Sequence, residues 1–184
     1  MNRKDISIAQ AALGQISKYG WRKTTMQDVA DAASISRQTL YNHVPNKDEL
    51  LRLVAQFYFS DNLSRCAVAL ESTDTLEEGW QIFLDHFVIE VWRTINAIPE
   101  AEDFERSANA VIAKEIQAAT DDKIKMVTDF LAVRGAATLS ESRRMEISRF
   151  FYASSSGVKV SARDEAELLE MVSTLKSALI VLSE

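Results

Sequence analysis

Cysteine occurs once in these 184 residues, at Cys66, which excludes an intrachain disulfide and a cysteine zinc site. Histidine occurs twice, at His43 and His86. There is no Gly-rich phosphate loop, no paired-histidine metal motif and no nucleophile-elbow pattern, so little catalytic material is left. The chain reads as a non-enzyme that needs neither cofactor nor metal. Five glycines and two prolines are too few for the turn punctuation of an all-β chain of this length. No apolar run reaches the roughly 18 residues of a membrane span, so no membrane partner is expected. The opening MNRKDISIAQAALGQ lacks a long apolar core and carries Asp5 early, which makes it a poor signal peptide. The expected location is the cytoplasm.

The residues that are present fit the soluble globular class: 47% hydrophobic and 26% charged. A net charge of −6, taken whole, argues against nucleic acid. The charge is unevenly spread. Residues 1–50 hold seven basic and five acidic residues, +2, and the remainder holds 14 and 22, −8. Such asymmetry hints at a nucleic-acid-binding end.

The pattern is helical almost throughout, and the expected fold class is all-α. Ile6, Ala9, Leu13 and Ile16 recur at helical spacing over 5–19, and Gly20 stops that helix. Thr24 or Thr25 caps a second helix, with Asp28 in its first turn and Met26, Val29, Ala30 and Ala33 facing inward. Ser34-Ile35-Ser36 interrupts, and a short helix over 37–44 ends at Pro45. Asn46 and Glu49 form a capping box that opens a long helix over 47–70. Thr75 and Glu78 form another, opening 76–97. Residues 100–136 read as helical, with Thr120-Asp121-Asp122 either a break or an exposed turn. The last helices fall at 141–157 and 163–183. The expected boundary lies near 46: a helix-turn-helix unit over 1–46, then a helical body over 47–184.

The segment TMQDVADAASISRQTLYNHVPNKDEL, 25–50, carries the informative motif. Two short helices around a three-residue turn fit a helix-turn-helix. Ala30, Ala32 and Ala33 permit a close crossing, Ile35 buries the turn and Leu40 anchors the second helix. Its other face presents Arg37, Gln38, Thr39, Tyr41, Asn42 and His43, hydrogen-bonding groups suited to base edges or phosphates. Ser36 adds a helix N-terminus for a phosphate. Lys47 lies in the first turn of the next helix, where a cation opposes the dipole, an arrangement that suits a nearby anion such as a DNA backbone.

The first 50 residues resemble the DNA-binding region of the TetR family of transcriptional regulators. The matching residues are 6–13, Tyr19-Gly20-Trp21, 24–30, 36–43 and Pro45-Asn46-Lys47-Asp48-Glu49-Leu50-Leu51. Ser34 stands where the family usually has Gly, Val44 where it has Phe, and Trp21 where Tyr or Phe is commoner. A Ser in a left-handed turn costs about 1 kcal/mol. The resemblance implies that Arg37, Gln38 and Thr39 read bases. It implies that Tyr41, His43 and Lys47 contact phosphates and that Thr25 caps the helix before them. It also implies a small-molecule effector bound in the body and a four-helix dimer interface. A two-fold dimer would match a palindromic operator in double-stranded DNA.

In the body, Trp80, Phe83, Leu84, Phe87, Val88, Val91 and Ile95 form one broad apolar stripe, while Ile82, Ile89 and Trp92 fall toward the more polar side. That helix is either central core or the wall of a ligand cavity. In the second case Phe83, Phe87, Phe104, Met126 and Phe130 line the pocket. His86 and Glu90, four apart, either orient a ligand or form a solvated pair. Leu168, Val172, Leu175 and Leu179 form a seam on the last helix, and with Phe150 and Phe151 they are the expected homodimer interface, with ordinary intrachain packing as the alternative. The leading reading is a DNA-binding repressor released by an effector. The alternatives are a carrier or enzyme with a degenerate head, and a DNA-tethered adaptor for another protein.

Overall fold

The structure, a computed structural model, describes the backbone of all 184 residues and the side chains of all but Asp103 and Ser107. It is built of helices: α1 (Arg3–Tyr19), α2 (Met26–Ala32), α3 (Arg37–His43), α4 (Lys47–Glu71) and α5 (Leu76–Leu84). A π turn (Asp85–Ile89) leads into α6 (Glu90–Asn96), followed by α7 (Ala101–Val111), α8 (Ala113–Arg134), α9 (Glu141–Ser161) and α10 (Glu165–Ser183). The fold is all-α, with a three-helix helix-turn-helix head followed by a helical body.

Local chemistry sets the boundaries. Asn2 caps α1 by accepting from the Lys4 and Asp5 amides, and Asp5 accepts from the Asn2 amide in return. The helix therefore starts earlier than the apolar spacing suggests. Its inward face is Ile8, Ala9, Ala12 and Ile16, while Ile6 points out. Gly20 ends α1 at φ 82°, its N–H on Ile16 O at 2.8 Å, and a Cβ there would lie 3.1 Å from Pro99 O. Both the angle and the close approach call for glycine. Of the two threonines, Thr25 is the α2 cap and shares a capping box with Asp28. Thr24 is buried and donates to Gly20 O at 2.8 Å. Glu49 N–H donates to Asn46 at 2.9 Å, but the Glu49 carboxylate pairs with Arg52.

Two expectations in the body change. Residues 120–122 neither break a helix nor form a turn; α8 runs through them, and the Thr120 hydroxyl meets Tyr152 OH at 2.8 Å. The interruption sits at Ile112 instead. The expected 76–97 helix contains the π turn, in which Glu90 N–H reaches back five residues to Asp85 O. The extra residue rotates the downstream face by about 100°. Ile89 is therefore buried rather than polar-facing, and Val91 is only half-buried.

The chain divides into two compact units, elsewhere than at residue 46: residues 1–61 with 93–118, and residues 62–92 with 119–184. In the first, Ile8, Ile16, Val29, Leu40, Leu50, Val54 and Ile98 share a core, with Ile95 and Phe104 against it. The start of α4 and the segment after α6 thus complete the head's core. In the second, Trp80, Phe83, Leu84, Phe87, Val127, Leu131, Ile147, Phe151 and Leu168 make the core. Trp80 Nε1 donates to the buried Ser183 hydroxyl at 3.2 Å, closing α5 against α10.

Candidate nucleic-acid interface and effector site

Helix α3 has a sharply divided surface. Leu40 and Val44 are buried in the head's core, at helical spacing. Burying a leucine this fully is worth about 2 kcal/mol, so the orientation of α3 is fixed from beneath. Arg37, Gln38, Asn42 and His43 are exposed, and Thr39 and Tyr41 are half-buried. The side chains of that face are already ordered. Ser36 Oγ accepts from the Thr39 amide at 3.0 Å and meets Thr39 Oγ1 at 2.8 Å. Arg37 lies over the Tyr41 ring, its Cζ 5.4 Å from the centroid, and Gln38 donates to Asn42 at 3.0 Å. His43 Nδ1 stands 3.7 Å from Asp5 on α1.

Thr25 is exposed but occupied by its capping box, whose hydrogen bonds hold Asp28 below the usual carboxylate range, the Thr25 hydroxyl first and its amide second. Lys47 is placed differently from a simple surface cation. Its Nζ donates to Trp21 O at 2.7 Å and Arg22 O at 3.3 Å and lies 4.5 Å from the Trp21 ring centroid. Burial lowers its pKa. Lys47 thus braces the turn after α1, with one of an ammonium's three N–H groups beyond those two bonds.

The body residues named from sequence separate into three sets. Phe83, Phe87 and Phe130 join Trp80 and Phe151 in an aromatic cluster with ring centroids 5.2–6.3 Å apart. Met126 packs against the same core. His86 and Glu90 are neighbours, His86 Nδ1 being 3.3 Å from Glu90, and Arg65 clamps Glu90 with two N–H groups. That clamp, first, and then the charges of Arg65 and His86 hold Glu90 below its ordinary pKa. Phe104 does not join them; it packs in the head unit with Leu51, Ala55 and Ala108. Sequence reasoning missed the polar groups facing this region from other helices: Asn62 and Arg65 on α4, Lys123 on α8 and Lys159 on α9. Lys123 Nζ lies 4.9 Å from the Phe87 ring centroid, and burial pushes its pKa down to about 8. Asn62, Arg65 and Lys123 stand among other polar residues of their helices, and Lys159 lies near a helix end, so spacing gave no sign of which of them turns inward.

The expected dimer seam is an intrachain core. Phe151, Leu168, Val172, Leu175 and Leu179 are buried within the single chain. Apolar side chains that do face outward on the same two helices are Phe150 (45% exposed), Val160 (88%), Leu169 (42%) and Val181 (73%). Among the described residues no group of three His, Cys, Asp or Glu could hold a metal ion, and no helix is long and apolar enough to cross a membrane.

Residues 8–54, the stretch that builds α2, α3 and their core, match the family described as "Bacterial regulatory proteins, tetR family". The head is thus similar to the N-terminal region of that family. One relative is 40% identical over 43 residues, the "Probable acrEF/envCD operon repressor" of Escherichia coli (strain K12), a match covering 23% of this chain. The chain spans only 20% of that relative's length. Beyond the head the likeness is one of fold. A TetR transcriptional regulator from Legionella pneumophila superimposes with a TM-score of 0.69 at 16% identity, over 97% of both chains. The fatty acid degradation regulator FadR from Bacillus halodurans gives 0.64 at 15%, over 98% of this chain and 96% of that one.

Proposed function

We propose that the chain is a dimeric transcriptional repressor whose TetR-type head binds a palindromic DNA operator and whose body binds a small-molecule effector that releases it. The observation that carries this reading is α3, a helix pinned by Leu40 and Val44 and presenting Arg37, Gln38 and Asn42 to solvent within the stretch that matches the family. Arg37, Gln38 and Thr39 read base edges. Tyr41, Asn42, His43 and the Ser36 helix end meet the phosphates. Lys47 offers its remaining N–H to a phosphate while bracing the Trp21 turn. Thr25 acts as the cap that orients α2.

Effector binding is assigned to the Phe83, Phe87, Met126 and Phe130 region, with His86 and Glu90 at its polar edge. The body shares its fold with the fatty acid degradation regulator FadR from Bacillus halodurans. The dimer forms through the outward faces of α9 and α10, where Phe150, Val160, Leu169 and Val181 are exposed. The protein works in the cytoplasm, on DNA.

The test is a comparison of specific and non-specific binding. Arg37→Ala should cost about 1–3 kcal/mol on the preferred sequence and relax its specificity at one position, while leaving non-specific affinity nearly intact. Equal loss on all sequences would assign Arg37 to a phosphate instead.

A further inference from the structure

The π turn is held from outside its own helix. In an α-helix the Glu90 N–H would bond to His86 O; here it goes to Asp85 O, and His86 O accepts from Asn62 Nδ2 on α4 at 3.0 Å. Phe87 O accepts from Lys159 Nζ on α9, also at 3.0 Å. One turn along α4 from Asn62, Arg65 grips the carboxylate of Glu90, the first residue beyond the π turn. Asn62 itself also hydrogen-bonds Glu90.

Asn62 is an expensive choice for packing alone. It is completely buried, and its Oδ1 has no hydrogen-bond partner. A leucine has the same branching and would leave no orphaned polar atom. The amide makes sense as the donor that a π register requires and a regular α register does not. Downstream, the chain carries a second irregularity: Glu100, a non-glycine residue, sits at φ 59° just after Pro99. The stretch 90–98 is therefore bracketed by two unusual backbone features. Changing the register by one residue re-phases it by about 100° and 1.5 Å. Helix α4, which supplies both holds, is one unbroken helix from Lys47, the residue that braces the head's Trp21 turn.

We propose that the π turn is a two-register switch, latched in the π form by Asn62 and Arg65, and that its release changes the state of α4 and thereby operator binding. This rests on the regulator reading and adds where the effector's differential affinity is felt. A ligand seated among Phe83 and Phe87 biases the switch only by preferring one register.

The test uses the full-length chain, without an effector, as Asn62→Leu and Arg65→Met. Hydrogen exchange is followed over 85–92 and, separately, over 47–61, and affinity is measured for the palindrome selected by the wild type. The expected result is exchange at least tenfold faster over 85–92, altered exchange over 47–61, and operator affinity shifted about fivefold or more. A hold that is merely structural would change 85–92 alone, and that outcome overturns the proposal, as does no change anywhere. If Asn62→Leu does not fold, Arg65→Met, at an exposed side chain, decides alone. If the wild type selects no DNA sequence, the regulator reading fails, and exchange over 47–61 still decides the latch.

Discussion

Ser34 carries the strain of the helix-turn-helix turn in its own backbone, at φ 55°. A left-handed non-glycine residue costs about 1 kcal/mol, so Ser34→Gly should stabilise the head by about 0.5–1 kcal/mol in urea denaturation. Gly79 is the opposite case. A Cβ there would fall 2.1 Å from Phe130 Cζ, inside the aromatic cluster. Gly79→Ala should cost about 1–3 kcal/mol, and pairing it with Phe130→Leu should recover part of that loss, a non-additivity read from a double-mutant cycle. Lys123 gives a pH signature. Its folded-state pKa is lowered to about 8, so between pH 8 and its ordinary 10.5 the unfolded chain binds more protons. Stability therefore rises with pH there, by up to about 1 kcal/mol from pH 8 to 9. Cys66, whose thiol burial pushes up to about 12 from 9.0, reverses the trend only above pH 9. Urea melts at pH 8 and pH 9 should show the gain in the wild type and not in Lys123→Met.

At the scale of elements, the sequence was readable where ends are marked chemically. Thr25 with Asp28 and Thr75 with Glu78 cap as their spacing requires. Leu40 and Val44 assign the buried side of α3 because the helix is short and has one core beneath it. The π turn left no trace in the letters. One inserted residue in an apolar helix changes the facing of every downstream side chain without changing composition, so Ile89 read as polar-side and is buried. The break at Ile112 is equally unmarked, since good helix formers lie on both sides. The pair Asp121-Asp122 looked like a turn, yet both are exposed residues on a continuous helix anchored by Thr120. Lys47 was legible as a helix-start cation but not as the brace of the Trp21 turn, because its carbonyl partners lie some 25 residues back.

At the scale of the whole molecule, the helical class and the head were legible, and the burial partners of the body were not. The seam Leu168, Val172, Leu175 and Leu179 has the spacing of an interface and serves as this chain's own core. Periodicity shows that a face is covered but not by which chain. The two outcomes separate by experiment. Leu175→Glu should destabilise the fold, with a markedly lower Tm. Val160→Glu with Val181→Glu should leave Tm of the monomeric fold high while halving the mass seen by light scattering. The claim on which everything else rests is operator binding. It is tested most directly by selecting bound fragments from a random double-stranded pool at two salt concentrations. The expected result is a palindrome that survives the higher salt, with half-sites related by a two-fold axis and separated by about one helical turn or a multiple of it. Recovery of only sequence-blind DNA that is lost as salt rises would contradict it.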